Sequence, residues 1–530
     1  MRILKIGFSI LLITFLPKQQ SGAQTVELAR ESEQVMLLAT RYMVEEVSTN
    51  GGYVWYYLPD FSRRWGEMEA YKTMIWVQSP GTISMGHLFL DAYHATGDEY
   101  YYQAAAKSAS AIIWGQNPEG GWNYIIDFAG DRSLKNWYNT IGKNGWRLEE
   151  FQHYYGNSTF DDDVSSNAAR FLLRMYIERL DPAWKPALDM AINFVLESQY
   201  PLGGWPQRYP LKYDFSKNGN PDYTSFYTFN DGVVWENVNF LIHCYHTLGQ
   251  ERFLDPILRG MDFYLASQHE SGAWGQQVTM DLKPAGARTY EPESLLPSDT
   301  YENAMLLLKF YQYTGNEKFL DGVPPAIEWL RKTMLPESMM GNSRYTHPTF
   351  VELGTNKPLF VHRKGSNVKY GYYYFDYQDD NLLSHYGGKT VIKIDNLEQE
   401  YKRIAVLSPE DASKNSPLKI EIYNGEATPQ RFFNPERNGV SVPDEDQVKE
   451  ILQSLDNKNR WLVKHGITSN PYIGDGQKQD LTDEYASRHV GDETDTSPFR
   501  DPSDQQYIST SKYIQNMHLL ISYIRSISDN

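Results

Sequence analysis

The segment Gln199-Tyr-Pro-Leu-Gly-Gly-Trp205 decides the fold, because similar segments recur along the chain. Two further copies read Gln116-Asn-Pro-Glu-Gly-Gly-Trp122 and Gln268-His-Glu-Ser-Gly-Ala-Trp274. Each copy ends one amphipathic stretch with a helical period and precedes another. Such recurrence is typical of repeat architectures, in which each unit buries its apolar face against its neighbours. The sequence therefore predicts stacked helical units joined by glycine-rich turns.

The stretches between these copies place their apolar residues on one helical face. One such set is Val164, Ala168, Phe171, Leu172 and Met175. Each unit is thus predicted to be a helix pair followed by a glycine-rich loop. Repeated pairs predict a mainly α fold, an α/α toroid or incomplete α/α barrel of helical hairpins with its loops on one face. A linear α-solenoid is the competing architecture, but long polar and aromatic loops favour the cleft of a toroid.

From about residue 340 the helical period fades. Residues 372–377 and 390–394 are typical of strands or extended loops. Residues 405–510 are rich in Asn, Asp, Pro and Ser, and are predicted to be irregular. A final amphipathic helix near residues 513–524 is expected to dock onto the body. The C-terminal part should therefore add short strands and irregular structure to the toroid.

We expect four parts along the chain, delimited by the signal sequence and the motifs. They are a signal peptide (1–23), an N-terminal helical extension of the toroid (24–104), a catalytic core (105–390) and a C-terminal extension (391–530).

The N-terminus has the features of a secretory signal peptide. Arg2 and Lys5 form a basic region, residues 6–16 form an apolar run, and Ser21-Gly22-Ala23 offers a cleavage site. The run is too short to span a membrane. We therefore expect a secreted or periplasmic protein with no membrane contact after signal removal. The single cysteine, Cys244, rules out intramolecular disulfides and a cysteine-rich metal site.

The composition limits the possible partners. The formal net charge is −17, whereas nucleic-acid binding needs a basic surface. An anionic polysaccharide remains a possible substrate if cations and local arginines line the cleft, because net charge says little about one site. Aromatic residues make up 14% of the chain, and aromatic rings stack on sugar faces, although most such rings fill cores.

The phrase Thr159-Phe-Asp-Asp-Asp-Val-Ser-Ser166 places three consecutive carboxylates before a helix. An N-cap needs only one carboxylate, and the helix dipole stabilises each additional carboxylate by only about 0.3–1 kcal/mol. A solvated cap is one interpretation. The other is a calcium site, because Ca²⁺ prefers hard oxygen ligands. A second phrase, Tyr227-Thr-Phe-Asn-Asp-Gly232, offers Asp231 as a further oxygen ligand.

A third phrase, Pro284-Ala-Gly-Ala-Arg-Thr-Tyr-Glu-Pro-Glu-Ser294, carries Arg288 and Glu291. A lone loop arginine is usually exposed. In this order, however, the three phrases resemble those of the family 10 polysaccharide lyases, known as pectate lyases. The resemblance runs from roughly Ala111 to Gly388, includes the glycine-tryptophan turns, and continues through Thr355-Asn-Lys-Pro-Leu-Phe-Val-His-Arg363. It implies an α/α toroid, in agreement with the repeat.

The resemblance also implies residue roles. Asp161 and Asp231 match acidic positions of the family's calcium–substrate cluster, and Asp162 is the third candidate Ca²⁺ ligand. Arg288 matches the arginine that abstracts the C5 proton, and Arg363 matches an arginine that binds a substrate carboxylate. The other candidate substrate-binding residues are Trp205, Gln207, Arg208, Trp274, Gln277 and Glu291.

The implied activity is calcium-assisted β-elimination on a uronic-acid polymer, with pectate favoured. The reaction removes the weakly acidic C5 proton and expels the C4 oxygen, so fixed positive charges must stabilise the enolate. Free arginine is almost always protonated. We therefore expect Ca²⁺ and a second cation to disfavour the charge on Arg288.

Two departures from the family affect the substrate. The family's Glu-Arg-Arg-x-Gly-Tyr phrase corresponds here to residues 373–380, which contain no arginine. An insertion at residues 212–222 lengthens a loop beside the expected cleft. A decorated or different uronan therefore fits as well as plain pectate.

Two other functions remain open at this point. An α/α-toroid glycoside hydrolase would use paired carboxylates such as Asp161 and Asp231 as acid and base. A non-catalytic uronan-binding protein would keep the cleft without turnover. We expect a monomer in each case.

Overall fold

A computed structural model describes residues 18–142, 157–211, 221–341, 344–364, 372–380, 382, 388–419, 441–464 and 505–528. Residues 1–17 of the predicted signal peptide and most of the insertion at 212–222 lie outside these ranges. None of the helices in the described ranges is long and apolar enough to cross a membrane.

Helical hairpins form the body of the molecule. The four hairpins are α2 (Thr82–Thr96) with α3 (Glu99–Trp114), α5 (Val164–Arg179) with α6 (Lys185–Glu197), α7 (Val233–Leu248) with α8 (Leu254–Ala266), and α9 (Pro297–Thr314) with α11 (Val323–Lys332). In the two central pairs the first helices, α5 and α7, contact each other and are the inner ones. Helices α5 and α7 are buried on most of their surface, Cys244 included, as expected for helices enclosed by others.

The two ends of the described chain form a fifth hairpin. Helix α1 (Lys18–Tyr42) packs on α16 (Thr510–Ser528), and α16 also packs on α2. The hydroxyl groups of Thr40 and Tyr513 lie 2.6 Å apart across this contact. The hairpins therefore follow one another around an arc from α1/α16 to α9/α11, where α13 (Ile394–Ile404) packs on the last pair. The predicted α/α toroid and its docked C-terminal helix are confirmed.

The remaining helices are short. They are α4 (Asp131–Trp137), α10 (Lys318–Asp321), α12 (Glu337–Met340), α14 (Pro409–Ala412) and α15 (Glu445–Gln453). Single π-helical turns follow α1 and α4 at Met43–Val47 and Tyr138–Gly142.

The strands lie in the loops between hairpins and pair antiparallel. Six of the strands form three antiparallel pairs. These pairs are β3 (Met74–Trp76) with β4 (Ile125–Asp127), β5 (Ser158–Thr159) with β6 (Arg208–Tyr209), and β7 (Tyr227–Thr228) with β8 (Gln277–Val278). Strand β9 (Pro284–Ala285) pairs with the other edge of β8. Four more are β10 (Ser294–Leu295), β12 (Phe350–Glu352), β13 (Pro358–Lys364) and β14 (Tyr372–Asp376), in that order. The others are β1 (Tyr56–Tyr57), β2 (Arg64–Trp65), β11 (His347–Pro348), β15 (Lys389–Thr390), β16 (Leu462–Val463) and β17 (Tyr507–Ser509).

Each glycine-rich turn locks one hairpin to the next. In the central copy, the Trp205 indole donates to the Val195 carbonyl at 2.8 Å. Gly203 has a φ of 106°, and a Cβ there would lie 2.0 Å from the Arg259 carbonyl oxygen. Only glycine fits such an approach. The same indole bond and close glycine approach recur at Trp122 with Gly120 and at Trp274 with Gly272.

The boundary expected at residue 104 lies within α3 (Glu99–Trp114). The strand predicted at 372–377 is present as β14. Residues 390–394, predicted as strand or extended loop, contain the end of β15 at Thr390 and three loop residues, and α13 begins at Ile394.

The structure corrects the expectation for residues 405–510, whose described parts are not uniformly irregular. Helix α15 leads to Trp461, whose indole donates to the Ile451 carbonyl at 3.1 Å, as in the other turns. Asn459, with a φ of 62°, takes the glycine position. An Asp444–Gln447 capping box starts α15 and is a sequence signal for this helix.

Candidate functional site

Two short 3₁₀ turns form the centre of the site. The first acidic turn (161–163) follows β5 and starts α5, and the second acidic turn (230–232) follows β7 and starts α7. Their backbones match: Asp162 has φ 49° and ψ 36°, and Asp231 has φ 52° and ψ 27°. Aspartate tolerates this left-handed region better than most residues. The two turns contact each other, so four acidic side chains share one end of the toroid.

Asp161 is buried and held at both carboxylate oxygens. Gln207 Nε2 donates to Oδ1 at 2.7 Å, and the Tyr124 hydroxyl donates to Oδ2. Burial raises the pKa of Asp161, but the positive charges of Arg208 and Arg288 outweigh it, so the pKa lies below the usual value. Asp161 is therefore ionised at neutral pH.

Asp231 has the opposite electrostatic character. Its side chain borders open space, yet protein atoms crowd it, and this desolvation raises its pKa well above the ordinary value. The negative charges of Asp162 and Asp161 raise the pKa further, and the Asp161 and Asp231 carboxyl groups are in hydrogen-bond contact. Asp231 therefore retains a proton to a higher pH than Asp161 does.

A residue from the N-terminal part of the chain, Gln78, orients Asp162. Gln78 Nε2 donates to Asp162 Oδ2 at 2.6 Å, and Gln78 Oε1 accepts from the Trp76 indole at 3.0 Å. Neither Gln78 nor Tyr124 was among the predicted site residues. A neutral amide ahead of the matched motifs and a tyrosine in an aromatic-rich chain give no strong signal on their own.

Arg288 lies in the loop between β9 and β10 and is only 5% exposed, unlike a typical loop arginine. Its Nε donates to Glu291 Oε2 at 2.6 Å and its Nη2 to Oε1 at 3.0 Å. The guanidinium also lies 5.1 Å from the centre of the Tyr290 ring. The two-point ion pair fixes the orientation of the guanidinium and stabilises its charged form.

A second buried cation, Arg208, lies close to Asp161. Arg208 is 1% exposed and donates from Nη1 to Gln207 Oε1 at 2.7 Å. Gln207 thus links this guanidinium to Asp161. The structure therefore brings together most of the predicted site residues, namely Asp161, Asp162, Asp231, Gln207, Arg208, Arg288 and Glu291.

Other predicted residues are placed differently. Trp205 and Trp274 have no exposed surface, because their indoles hold the glycine-rich turns, so neither ring is available to a sugar. The expected direct substrate contact of these two rings is thereby corrected. Gln277 is also buried and accepts from Thr228 Oγ1 at 2.9 Å. Arg363 pairs with Tyr373 in the β13–β14 register, and its side chain lies outside the described part.

An exposed aromatic pair lies at the same end of the molecule. Trp114, the last residue of α3, is 55% exposed, and its ring centre lies 4.7 Å from that of Phe128. Phe128 directly follows β4, and β4 begins beside Tyr124. Trp114 therefore offers an exposed ring face, with the partly buried Phe128 beside it.

The residues present fit a hard cation in chemistry but not as a complete cage. No three His, Cys, Asp or Glu side chains converge as a metal site among the described residues. Desolvation and the negative charges of Asp162 and Asp161 nevertheless raise the pKa of Asp231, and a bound cation would relieve this effect. Gln276, buried beside Asn230, has no hydrogen-bond partner for its side-chain amide in the described ranges. All-oxygen donors suit Ca²⁺, with water or ligand oxygens completing the set.

The chain is similar to one known protein family in sequence and to several solved structures. The family model described as pectic acid lyase matches residues 127–405, more than half of the chain. No curated protein sequence shows significant similarity to the chain.

Several solved structures are similar at low identity. The family 10 polysaccharide lyase from Cellvibrio cellulosa is 19% identical, with a TM-score of 0.41, over 60% of this chain and 96% of that one. A variant of that lyase in complex with trigalacturonic acid is 17% identical, with a TM-score of 0.40, over 60% and 98% of the two chains. The unsaturated glucuronyl hydrolase from Streptococcus agalactiae is 11% identical, with a TM-score of 0.30, over 57% and 65%.

Proposed function

The chain belongs to the pectic acid lyase family and is a polysaccharide lyase, and on that premise we propose that it cleaves a uronic-acid polymer, with pectate favoured, by calcium-assisted β-elimination. The observation that carries the proposal is the cluster of two acidic turns facing two buried arginines, Arg208 and Arg288. This arrangement places fixed positive and negative charges where a uronate carboxylate and a cation would meet.

β-Elimination needs three contributions from such a site. A base must remove the C5 proton, positive charge must stabilise the carboxylate as it becomes an enolate, and the sugar must be held in place. Arg208 and Arg288 supply the protein's own positive charge beside Asp161. Asp162 and Asp231, with Asp161 behind them, would hold Ca²⁺, which supplies further positive charge to the substrate carboxylate.

We assign the role of base to Arg288. Its orientation is fixed by Glu291, so the guanidinium can meet a bound sugar in one defined geometry. The same ion pair stabilises the protonated form, which works against proton abstraction. Nearby positive charge from Arg208 and from the cation would have to offset that effect. Proton transfer from C5 to a nitrogen of the neutral guanidine then restores the charged ion pair with Glu291, while the electrons of the C5–H bond form the C4–C5 double bond and the C4–O bond breaks.

The contact between Asp161 and Asp231 disfavours the hydrolase alternative. Their carboxyl groups lie within hydrogen-bond reach of each other, whereas glycosidases separate theirs by about 5 Å or more to flank the scissile bond. Two carboxyl groups this close to each other suit cation binding better than they suit acid and base on opposite faces of a sugar.

Exposed aromatic rings provide surfaces for sugar units away from the reaction centre. Trp114 lies at the rim, and Phe375 and Tyr377 are exposed on and next to β14, in the segment without the family's arginines. Such rings bind the apolar faces of pyranoses without needing a carboxylate. We therefore include partly decorated uronans among the substrates. We further propose secretion to the periplasm or medium, and a monomeric state.

The decisive experiment is an elimination assay on polygalacturonate, alginate, glucuronan and ulvan, with and without EDTA. Ultraviolet absorbance reports the 4,5-unsaturated end that a lyase creates. We expect activity on polygalacturonate that EDTA abolishes and Ca²⁺ restores. New reducing ends without absorbance would identify hydrolysis, and binding by calorimetry without cleavage of any polymer would identify a non-catalytic protein.

A further inference from the structure

One wall of the site comes from a part of the chain that precedes the family match. Gln78 lies between β3 and α2, whereas the match begins at residue 127. The side chain is buried, with 6% of the residue exposed, and its amide nitrogen is 2.6 Å from Asp162 Oδ2. The N-terminal hairpin therefore reaches into the acidic cluster as well as extending the toroid.

The repeat explains this placement. The backbone N–H groups of Trp76, Thr159 and Thr228 each donate to the aromatic residue that ends the preceding turn, at 2.9, 2.8 and 3.0 Å. Two residues later, the three units present Gln78, Asp161 and Asn230. Successive repeat units thus bring one equivalent side chain each to the same end of the toroid, and the first unit contributes a neutral amide.

The orientation of the Gln78 amide follows from the donor on its other side. An indole N–H can only donate, so the Trp76 indole fixes Oε1 toward itself at 3.0 Å. The NH₂ group must therefore face Asp162. A hydrogen-bond donor at this position stabilises the ionised Asp162 carboxylate and restricts its rotation. A carboxylate in place of the Gln78 amide would do neither.

We propose that Gln78 is a positioning residue that orients Asp162 for cation binding, so that the N-terminal hairpin is part of the functional unit. The inference rests on the proposed function, because it concerns the cation of that site. Residues that orient a metal ligand by hydrogen bonding affect metal affinity by about 10- to 100-fold when they are replaced.

The test uses calcium calorimetry on the full chain, with Gln78→Met, Gln78→Glu and a control, Gln103→Met. Gln103 lies on the exposed side of α3, where its amide donates to Glu99 at 3.1 Å. Gln78→Met loses the donor, and we expect about tenfold weaker Ca²⁺ binding. Gln78→Glu keeps the acceptor for Trp76 but also loses the donor to Asp162, so we expect weaker Ca²⁺ binding than in the parent despite the added negative charge. The control should match the parent protein.

Activity then separates positioning from packing. At limiting Ca²⁺, Gln78→Met should cleave slowly, and excess Ca²⁺ should restore kcat to within about twofold, because mass action compensates for lost affinity. A merely structural role would lower the melting temperature without this rescue.

Unchanged Ca²⁺ affinity in both Gln78 variants, with normal binding by the parent, would overturn this inference and leave the proposed function intact. A parent protein that neither binds Ca²⁺ nor needs it would refute the calcium-dependent mechanism, and this inference with it.

Discussion

The first and second acidic turns have the same backbone and opposite electrostatics. Each carries an aspartate in the left-handed region immediately before an inner helix. Yet Asp161 is enclosed by Tyr124, Gln207 and two arginines, and its pKa is lowered, whereas the pKa of Asp231 is raised. The repeat thus supplies the backbone twice, but Asp161 and Asp231 occupy different positions in it, because Asn230 is the equivalent of Asp161 and Asp231 that of Asp162. The position within the turn and the surrounding side chains together decide which carboxyl group is charged.

The difference in pKa predicts separate roles for Asp161 and Asp231 in the site. An ionised, hydrogen-bonded Asp161 balances the buried arginines whether or not a cation is present. Asp231 carries a proton that a cation can displace, because a bound cation favours the charged form of a carboxyl group. Cation binding should therefore release protons and act mainly through the second turn.

Removing Arg288 should have the largest effect, because its charge lowers the pKa of both turns' aspartates. Arg288→Ala should reduce kcat by about 10³-fold through loss of base and positive charge together. Arg288→Lys keeps a charge but not the two-point pairing with Glu291, so it should recover little activity. The measurement is ultraviolet kinetics on polygalacturonate, with circular dichroism as a folding control. Near-normal turnover in either variant would remove Arg288 from the role of base.

Replacing the two aspartates singly should shift stability in opposite directions. In EDTA at pH 7, Asp161→Asn should lower the melting temperature, because an ionised group with a lowered pKa stabilises the fold above its unfolded pKa. Asp231→Asn should raise it by about 2 °C, because a group with a raised pKa loses stability as pH rises.

The pH dependence sharpens the same test. The stabilisation from Asp161 should disappear as pH falls through its lowered pKa, and the contribution of Asp231 should disappear as pH rises through its raised pKa. Both variants should lose about 10²-fold in Ca²⁺-dependent activity. Equal shifts of the two melting temperatures would contradict the difference between the turns.

Glu291→Gln should change the pH profile of activity more than its maximum. Without the carboxylate, the guanidinium loses the partner that stabilises its charge. The part of the kcat–pH profile in which activity rises as the base loses its proton should therefore move about one unit to lower pH. Loss of orientation should reduce kcat by about tenfold. The pH dependence of kcat, measured in parent and variant, tests this. A profile that stays in place would indicate that another group accepts the proton.

The smallest effect is expected at the rim beside the first turn. Trp114→Ala should raise KM for the polymer by about threefold and leave a trimer unaffected, because one aromatic contact contributes only about 0.5–1.5 kcal/mol. Met280→Ala is the matched control, since Met280 is 51% exposed beyond β8 on the side of the second turn. An equal effect of both variants, or an effect on the trimer, would exclude a specific role for Trp114.

The sequence predicted the toroid well because its turns depend on a few distinctive residues. A tryptophan that bonds to a carbonyl ten residues earlier, next to a glycine at positive φ, leaves a recognisable pattern. The same pattern with Asn459 in the glycine position was missed before Trp461. The motif could not tell whether Trp205 faces sugar or core, because both environments favour an aromatic ring.

The charged centre could be predicted only in part. Three consecutive carboxylates are conspicuous, so Asp161 and Asp162 were found from the sequence. The contact of Gln78 with Asp162 could not be predicted from the sequence, because a hydrogen bond between residues 84 positions apart leaves no local pattern. It requires the fold, which places the first repeat unit beside the second. Burial of Arg288 likewise depends on Glu291 three residues later, in a loop without regular period.

The pairing of α1 with α16 has a consequence for the order of folding. The 19-residue helix α16 contacts both α1 and α2, so these two helices complete their packing only with a partner far along the chain: Thr40 and Tyr513 are 473 positions apart. Until α16 docks, the faces of α1 and α2 that it covers remain exposed. The docking of α16 therefore joins an early and a late segment of the chain at one end of the arc.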